Sequence, residues 1–504
     1  APAQPAPPSS PSRPATPAPP TPGLIQWAGE PRQITLPELL QLTVRQSPSL
    51  QNAKLDIAIA EARIKQTWAR NDWLLGAKLD GSRFSSTTSK DVRVDGTADL
   101  SRALPTGGTV DLHAGTGYEY ARNPGSVFAF TLNDQPFTIT TATSRATTWT
   151  TDVSGSISQP LLRNRGRELF DANEVRATLA RDAAVLARRL AAIQTVSAVI
   201  SAYWDLVLAE QTVAITQGSL DLARERLRVT QIGADGGKVP RSEIPAVLQI
   251  IATREEDVLN GELGVLNASI VLRRSAGMPI GAGELGLRVS TDLATQDQAI
   301  ELGPLVERAL AASPELAQLA KQDQSATIDI AVAENGLLPQ LDAALKVGPT
   351  GIAGSFGDAA TNLAKFDAIA IEGSLTFSQS LGRHDALGRT REQRELRQKL
   401  AVNAVDVRAQ VAQTMSRAVA QLELARRRVT LSQRAIDLAN ENIKIETDRF
   451  NLGKATNFDV LNRLEELRQA ELRKAQALID WHKAEVVIQS LTGDLLPTYG
   501  LTVD

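Results

Sequence analysis

The sequence contains no cysteine, only three histidines and no long uncharged apolar run. The missing cysteine excludes disulfides, thiolate nucleophiles, Cys-ligated metals and acylation of an N-terminal cysteine. Because Asp205 interrupts the longest apolar run, Val196 to Ala209, we expect no membrane-spanning helix, so that any membrane crossing would have to use strands. No basic segment followed by an apolar run comes after Ala1, so we expect that an export signal was removed or never included.

The charge is nearly balanced, with 54 Lys and Arg against 57 Asp and Glu, and therefore favours neither nucleic acid nor an anionic surface as partner. His113, His384 and His482 lack the spacing of metal ligands, so no metal site is expected. The run Gly233 to Lys238 lacks the spacing of a phosphate-binding loop, so no nucleotide or other cofactor is expected. With no catalytic triad, metal cluster or paired acidic motif, an enzyme is the least supported class.

Two stretches of the chain repeat each other 216 residues apart (436 − 220). Leu220 to Glu225 reads LDLARE, and Ile436 to Glu441 reads IDLANE. The same register continues to Gly277 and Gly493. An earlier segment ending in Ser-Pro-Ser-Leu matches a later one ending in Ser-Pro-Glu-Leu at a larger offset, so the first copy is the longer. The chain is therefore predicted to contain two copies of one large, mostly helical unit.

The predicted layout begins with a Pro-rich, disordered tether at residues 1–32 and includes a linker at 281–300 and a C-terminal tail at 494–504. The first repeat covers residues 33–280, with helices at 36–46, 49–73, 165–231 and 240–276 and strands within 75–160. The second repeat covers residues 301–493, with helices at 302–311, 315–336, 384–450 and 457–492 and strands within 338–378. A helix of about 67 residues is about 100 Å long and needs parallel neighbours to bury its apolar side.

Strict alternation of apolar and polar residues marks the strands, as in Trp149 to Ile157 and Ile369 to Phe377. Strands of about 10 residues with one apolar face are typical of a transmembrane β-barrel wall, although a soluble sheet with one wet face gives the same pattern. The first copy has an additional alternating hairpin at 92–120, and its pattern does not decide whether this hairpin adds strands to a barrel. Tyr118 and Trp149 lie near strand ends and could belong to an aromatic girdle, whereas Tyr203 and Trp204 fall at core positions of a helix.

The ordered set of motifs, found in duplicate, resembles the TolC family of outer-membrane efflux channels. It includes the Ser-Pro-x-Leu segments, Ser158 to Leu162 (SQPLL), Ala202 to Leu206 (AYWDL) and Asp459 to Leu461 (DVL). The resemblance implies an α+β membrane protein built from two internal structural repeats. It implies a homotrimer whose outer-membrane β-barrel continues into a long periplasmic α-helical barrel. Its implied function is a passive exit duct of a tripartite efflux or type I secretion system, opened by a periplasmic adaptor and an inner-membrane pump.

The resemblance also implies functional residues at the two turns that follow the long helices. A pore constriction would involve Asp459, Asn462 and Glu243, with one acidic ring because Asn462 replaces the second acid. Contacts of the closed state would involve Phe450, Ala455 and Glu243, although the family's Tyr and Arg are missing there. The turns that dock the adaptor would contain Gly237, Lys238, Gly453 and Lys454. Alternatively, Asp459 and Glu243 only cap their helices, where a carboxylate favours the helix dipole.

One alternative remains besides the channel. A soluble periplasmic coiled-coil scaffold, resembling an adaptor, would also explain the long helices, but not the barrel-type strands between them in both copies. Within the channel interpretation, the sequence does not distinguish drugs, metal ions and proteins as the transported species.

Overall fold

The computed structural model describes residues 32–86, 89–123, 127–132, 135–140, 142, 144–237, 239–281, 285–289 and 301–502. The predicted tether lies outside these residues except for Arg32, as do much of the predicted linker and Lys238 of the first turn. The helices are α1 (Leu36–Gln46), α2 (Pro48–Thr67), α3 (Arg167–Asp235), α4 (Glu243–Ala276), α5 (Leu302–Ala312), α6 (Pro314–Asn335), α7 (Phe356–Ala364), α8 (His384–Asn451), α9 (Asn457–Thr492) and α10 (Leu495–Thr498). The strands are β1 (Arg32–Ile34), β2 (Leu74–Ser85), β3 (Lys90–Ala103), β4 (Thr109–Asn123), β5 (Val127–Leu132), β6 (Gln135–Thr140), β7 (Ser144–Pro160), β8 (Leu287–Val289), β9 (Gln340–Ala353) and β10 (Ile369–Ser378).

Most helices begin and end within a few residues of their predicted positions, and capping explains the best agreements. Thr35 and Glu38 form a capping box at the start of α1, and Thr456 and Asp459 form another at the start of α9. In each box two otherwise unpaired backbone N–H groups gain acceptors, which fixes the first turn of the helix. Gly277 ends α4 as its C-cap in the left-handed conformation with φ 73°, which glycine adopts without strain.

Several predicted bounds are wrong. The predicted helix 49–73 ends earlier, because α2 stops at Thr67, whose hydroxyl bonds the Ile64 carbonyl, and a 3₁₀ turn follows. The predicted helix 165–231 ends later, because α3 continues through Gly233 and the chain turns only at Gly236 and Gly237. The predicted helix 240–276 starts three residues later, because Pro240 still belongs to that turn.

Three intervals, predicted as linker, strands and C-terminal tail, contain unexpected elements. The linker includes β8, which pairs in parallel with β1, and β1 takes Arg32 out of the predicted tether. The strand interval 338–378 includes α7, whose first turn is capped by the Ser355 hydroxyl accepting from the Asp358 N–H. The predicted tail contains α10, whose Leu495 is fully buried. Short elements such as these offer too little periodicity to be found in a sequence.

The described residues divide into two compact units. The helical unit comprises those within 1–52, 188–313 and 408–504, and the sheet unit comprises those within 53–187 and 314–407. The core of the helical unit is formed by α1, α3, α4, α9 and α10. Its largest fully buried side chains include Leu39, Leu40, Ile200, Tyr203, Leu206, Leu272, Ile479 and Leu495. Tyr203 and Trp204 therefore lie in the core, as predicted.

One part of α3 is apolar and long enough to cross a membrane when judged by hydropathy alone, contrary to the expectation from the sequence. Buried α3 residues such as Val196, Ile200 and Val207 belong to the core cluster of the helical unit. Packing against other helices therefore accounts for their hydrophobicity.

The sheet unit contains a six-stranded antiparallel sheet with the order β10-β9-β7-β4-β3-β2. The predicted extra hairpin forms β3 and β4, which lie inside this sheet between β2 and β7. Its register places Val94 opposite Tyr118 and Leu100 opposite Leu112, so that the apolar residues of both strands share one face. The hairpin is therefore a continuous part of the sheet.

The two faces of the sheet differ in polarity along rows that cross all six strands. One row consists of Ile371, Val347, Gly155, Leu112, Leu100 and Leu75, and the face that carries it is called the apolar face below. The neighbouring row on the other side, the polar face, consists of Glu372, Lys346, Ser156, Asp111, Ser101 and Leu74. In the single chain Leu75 is 73% and Ile371 70% exposed, so the apolar face lacks a partner over much of its area.

Helix α7 packs on the apolar face near the loop end of β7 and β9. The Thr151 hydroxyl donates to the Ala359 carbonyl at 3.1 Å, and the Trp149 and Phe356 rings meet edge to face at 5.5 Å. Gly351 permits this approach, because a Cβ there would lie 2.0 Å from the Ala359 carbonyl oxygen.

Candidate functional site

The two turns that follow the long helices have closely similar backbones. Gly237 ends the turn after α3 with φ 71°, and Gly453 follows α8 with φ 73°. At the second turn the N–H groups of Gly453 and Lys454 donate to carbonyls of the last turn of α8, at 2.8 Å each. A residue with a side chain is strained at such φ values, so glycine permits the reversal between the paired helices.

Arg226 of α3 is the central residue of the site near these turns. Its side chain is 7% exposed, and its guanidinium lies 3.8 Å from the centre of the Phe450 ring of α8. Its Nε donates to the Asn457 side-chain oxygen of α9 at 2.7 Å, whereas its Nη2 is buried without a hydrogen-bond partner among the described residues. Arg226 thus connects three helices of the helical unit.

Asn457 extends this contact to the start of α4. Its amide nitrogen donates to Glu243 Oε2 at 2.5 Å, while its amide oxygen accepts from Arg226. Burial lowers the pKa of Arg226, and the nearby charge of Glu243 opposes that change. The four residues Arg226, Phe450, Asn457 and Glu243 are called the tip cluster below.

Asp459 has a local role in the described chain. Its carboxylate accepts from the Thr456 N–H at 2.8 Å and from the Thr456 hydroxyl at 2.7 Å. These hydrogen bonds lower the pKa of Asp459, and the charges of Arg449 and Arg463 act in the same direction. The carboxylate therefore remains ionised in moderately acidic solution, at a partly exposed position in the first turn of α9.

The structure brings some of the predicted site residues together. Phe450 and Glu243 both belong to the tip cluster. They are connected through Arg226 and Asn457, and not through position 455, which carries an alanine. Asn462 is exposed on α9, and among the described residues no hydrogen bond joins it or Asp459 to Glu243. Gly237, Gly453 and Lys454 are exposed, whereas Lys238 lies outside the described residues.

Sequence reasoning missed Arg226 and Asn457. Arg226 occupies a buried helical stripe together with Leu220, Ala223 and Thr230, each at most 3% exposed. A charged residue at the helical spacing of a buried stripe is unusual, because burying an unpaired charge is costly. The position of Arg226 in this stripe could have identified it from the sequence. No comparable feature marks Asn457.

A charged cluster connects α4 and α9 elsewhere in the helical unit. Arg468 binds Glu465 through two hydrogen bonds of 2.9 and 2.7 Å, and Arg254 forms an ion pair with the same carboxylate. Burial would raise the pKa of Glu465, but the hydrogen bonds from Arg468 and Gln469 and the two Arg charges lower it to about 2. Among the described residues, no group of three or more His, Asp or Glu side chains is arranged to hold a metal ion.

Residues 305–494 match the family model of the outer membrane efflux protein, a family of channels and not of enzymes. The outer-membrane channel OprN is similar in structure, with a TM-score of 0.66, 14% identity, and coverage of 91% of this chain and 90% of that one. The CmeC channel of Campylobacter jejuni has a TM-score of 0.64, 12% identity, and coverage of 91% and 86%. The open state of the MtrE channel of Neisseria gonorrhoeae has a TM-score of 0.63, 16% identity, and coverage of 94% and 92%. No curated protein matches the chain.

Proposed function

We propose that this chain is a member of the outer membrane efflux protein family, whose model matches residues 305–494, and that it is an outer-membrane efflux duct with a periplasmic extension, assembled and controlled as follows. Three copies of the chain form a homotrimer that serves as the passive exit route of a tripartite efflux or type I secretion system. A periplasmic adaptor and an inner-membrane pump open the duct and deliver the transported molecule. The repeated turn geometry at Gly237 and Gly453 is consistent with the two structural repeats predicted from the sequence.

The observation that carries this proposal is the apolar face of the six-stranded sheet. Its rows are continuous across all six strands and strongly exposed in the single chain. A lipid environment accounts for such a face without a protein partner. The polar face, which carries Asp111, Lys346 and Glu372, would then line a water-filled interior.

The two edges of the sheet support closure by other copies. Strands β2 and β10 form the edges and leave one side of their backbone unpaired within the described sheet. Unpaired backbone groups are not tolerated in lipid, so β2 of one copy would pair with β10 of the next. Three six-stranded sheets would give eighteen strands, of which the hairpin β3–β4 contributes two per copy. Barrels of that size enclose an aqueous channel.

The constriction would lie at the turns, where Asp459, Asn462 and Glu243 of three copies surround the axis. Asp459 is partly exposed and ionised, so three copies would form one ring that attracts cations. Asn462 would add hydrogen-bonding groups without charge. Glu243 is tied to Asn457 in the tip cluster and would contribute less to the pore potential.

The tip cluster would hold the closed state. Phe450 and Glu243 take part through Arg226 and Asn457, so a guanidinium from α3 replaces the one missing at Ala455. Because the cluster joins α3, α8, α9 and the start of α4, moving these helices apart would break it. The adaptor would act on the two turns, at the exposed residues Gly237, Gly453 and Lys454 and at Lys238, which lies outside the described residues.

Reconstitution of the purified protein tests the proposal. We expect the protein to require detergent for extraction, to form trimers, and to conduct ions in planar bilayers. Electron microscopy of the trimer should resolve eighteen strands in the membrane part. A freely soluble monomer without conductance would contradict the proposal and favour the periplasmic scaffold instead.

A further inference from the structure

Three cationic side chains form one row near the loop end of the sheet. Lys90 of β3 lies opposite Arg122 of β4, and Arg122 lies opposite Arg145 of β7. All three are exposed. The alternation along each strand places them on the apolar face, the same face as Tyr118 and Trp149. Lys90, Arg122 and Arg145 are called the cation row below.

Among the described residues, no carboxylate pairs with the cation row. Neighbouring strands lie about 4.8 Å apart, and like charges directly opposite each other are destabilising. The nearest acids along the strands, Asp91 and Glu119, fall on the polar face, and none of the ion pairs between described residues involves the row. The loop between β4 and β7 contains one acid by sequence, Asp134, which lies outside the described residues. The segment between β9 and β10 at the same end of the sheet contains Asp358, which accepts a hydrogen bond from the Ser355 hydroxyl, and Asp367, and no ion pair between described residues joins either acid to the row.

The row occupies a defined level relative to the aromatic residues. Tyr120 lies one row inward from it, and Tyr118 and Trp149 two rows inward, with their rings 5.0 Å apart. Tyr and Trp concentrate at the boundary between hydrocarbon and headgroups. The strand from Val110 to Tyr120, at about 3.4 Å per residue and a tilt of about 40°, spans roughly 25 Å of membrane thickness. The cation row therefore lies at headgroup level when the apolar face meets lipid.

We propose that the cation row binds the phosphate groups of an anionic glycolipid in the outer leaflet, an inference that rests on the proposed function. Helices α3 and α8 follow β7 and β10 at the end of the sheet opposite to the cation row. Because the proposed function places these helices in the periplasm, the loop end is the outer one. Guanidinium groups bind phosphate oxygens through paired hydrogen bonds, and an ammonium adds a third donor group. Phosphate groups bound between these three side chains would attract all of them and so offset their mutual repulsion.

Lipid titration of the detergent-purified full-length trimer, followed by native mass spectrometry, tests this inference. The probes are bisphosphorylated lipid A, monophosphorylated lipid A, phosphatidylcholine and inorganic phosphate. We expect the wild type to bind bisphosphorylated lipid A at least tenfold more tightly than phosphatidylcholine, with the monophosphorylated lipid in between. The combined variant Lys90→Gln, Arg122→Gln and Arg145→Gln should lose this preference.

The matched control removes three positive charges from the polar face of the same sheet, by Lys78→Gln, Arg93→Gln and Lys346→Gln. It should keep the lipid preference of the wild type, because these side chains point away from lipid. Equal lipid preference in wild type and cation-row variant would overturn the inference. It would also be overturned if inorganic phosphate competed for the row as effectively as the lipid does. Because neutralising the row removes repulsion, its variant should melt in detergent no lower than the wild type.

A second variant keeps the test informative if the triple variant does not fold. Arg122→Gln at the centre of the row should weaken binding of bisphosphorylated lipid A several-fold, and Arg122→Lys should retain most of it. An unchanged affinity in Arg122→Gln would overturn the inference. Conductance of the same samples is recorded separately: a conducting trimer without lipid preference contradicts only this inference, whereas a protein without pores contradicts the proposed function.

Discussion

The guanidinium of Arg226 lies 3.8 Å above the ring of Phe450, in a site from which water is nearly excluded. A desolvated contact of this kind stabilises by about 2 kcal/mol, and the hydrogen bond from Arg226 to Asn457 adds to it. The contact joins the ends of the two long helices, α3 and α8. Mutations in the tip cluster can therefore test how the duct closes.

Arg226→Met should open the resting duct. The substitution keeps much of the side-chain volume but removes the cation and the donor to Asn457, so we expect higher conductance in planar bilayers. The trimer should also lose about 2 kcal/mol or more of unfolding free energy. Arg224→Met is the control, because Arg224 lies on the same helix in an exposed pair with Glu255. Resting conductance equal to that of the wild type would remove Arg226 from the closed-state contacts.

The charge of Asp459 should set the cation preference of the pore. Asp459→Asn keeps a capping acceptor but removes the charge, so the ratio of cation to anion permeability should fall, as should block by multivalent cations. Asn462→Asp should raise both by adding a second acidic ring. The measurements are reversal potentials in salt gradients. If neither variant changes the reversal potential, Asp459 is only a helix cap.

Gly373→Arg tests the membrane exposure of the apolar face. A Cβ at Gly373 meets nothing within 4 Å in the chain, so the cost of the substitution would come from lipid alone. We expect a loss of roughly 2–4 kcal/mol if the site lies near the membrane centre. Ser374→Arg, one residue along and on the polar face, should cost much less. Equal melting temperatures of both variants would show that the two faces meet similar surroundings.

Glu465 should contribute a pH-dependent part of the stability. Its pKa is about 2 in the folded chain, below the ordinary value of 4.5, so its contribution is present above about pH 4.5 and is lost as the pH falls towards 2. Allowing for solvent screening, Glu465→Gln should lower the unfolding free energy by about 1–2 kcal/mol at pH 7. This difference from the wild type should shrink in thermal melts between pH 4.5 and pH 2.5.

Glu466→Gln is the control for that experiment. Glu466 is more exposed than Glu465 and pairs with Arg463 at the helix surface. Its substitution should change the melting temperature little at any pH. A pH-independent effect of Glu465→Gln would mean that packing, and not its charge, explains the loss.

Long elements with regular periods could be predicted from the sequence, and contacts between distant segments could not. The period of 3.6 residues located α3 and α8, and the period of two located the apolar residues of β3 and β4. The alternation of Val92 to Leu100 even fixed which residues share a face, because side chains in a strand alternate strictly. Helix α7 was missed because its nine residues give little more than two turns.

The candidate site shows the same division. Resemblance located Glu243 and Phe450, because their positions follow from the two turns. The residues that connect them, Arg226 and Asn457, are separated by 231 positions, and no local pattern relates such a pair. Which cationic side chain reaches a buried acceptor depends on how the helices pack. The sequence of a single segment does not specify that packing.

The two open edges of the sheet, β2 and β10, also constrain how the protein is made. In the proposed assembly, a lone copy entering the membrane would place into hydrocarbon the outward-pointing backbone groups of about half of the 12 residues of β2 and of the 10 residues of β10, at several kcal/mol for each unsatisfied group. The proposed trimer therefore requires newly made chains to meet before or during insertion. The yield of the inserted protein should consequently rise more steeply than linearly with its synthesis rate.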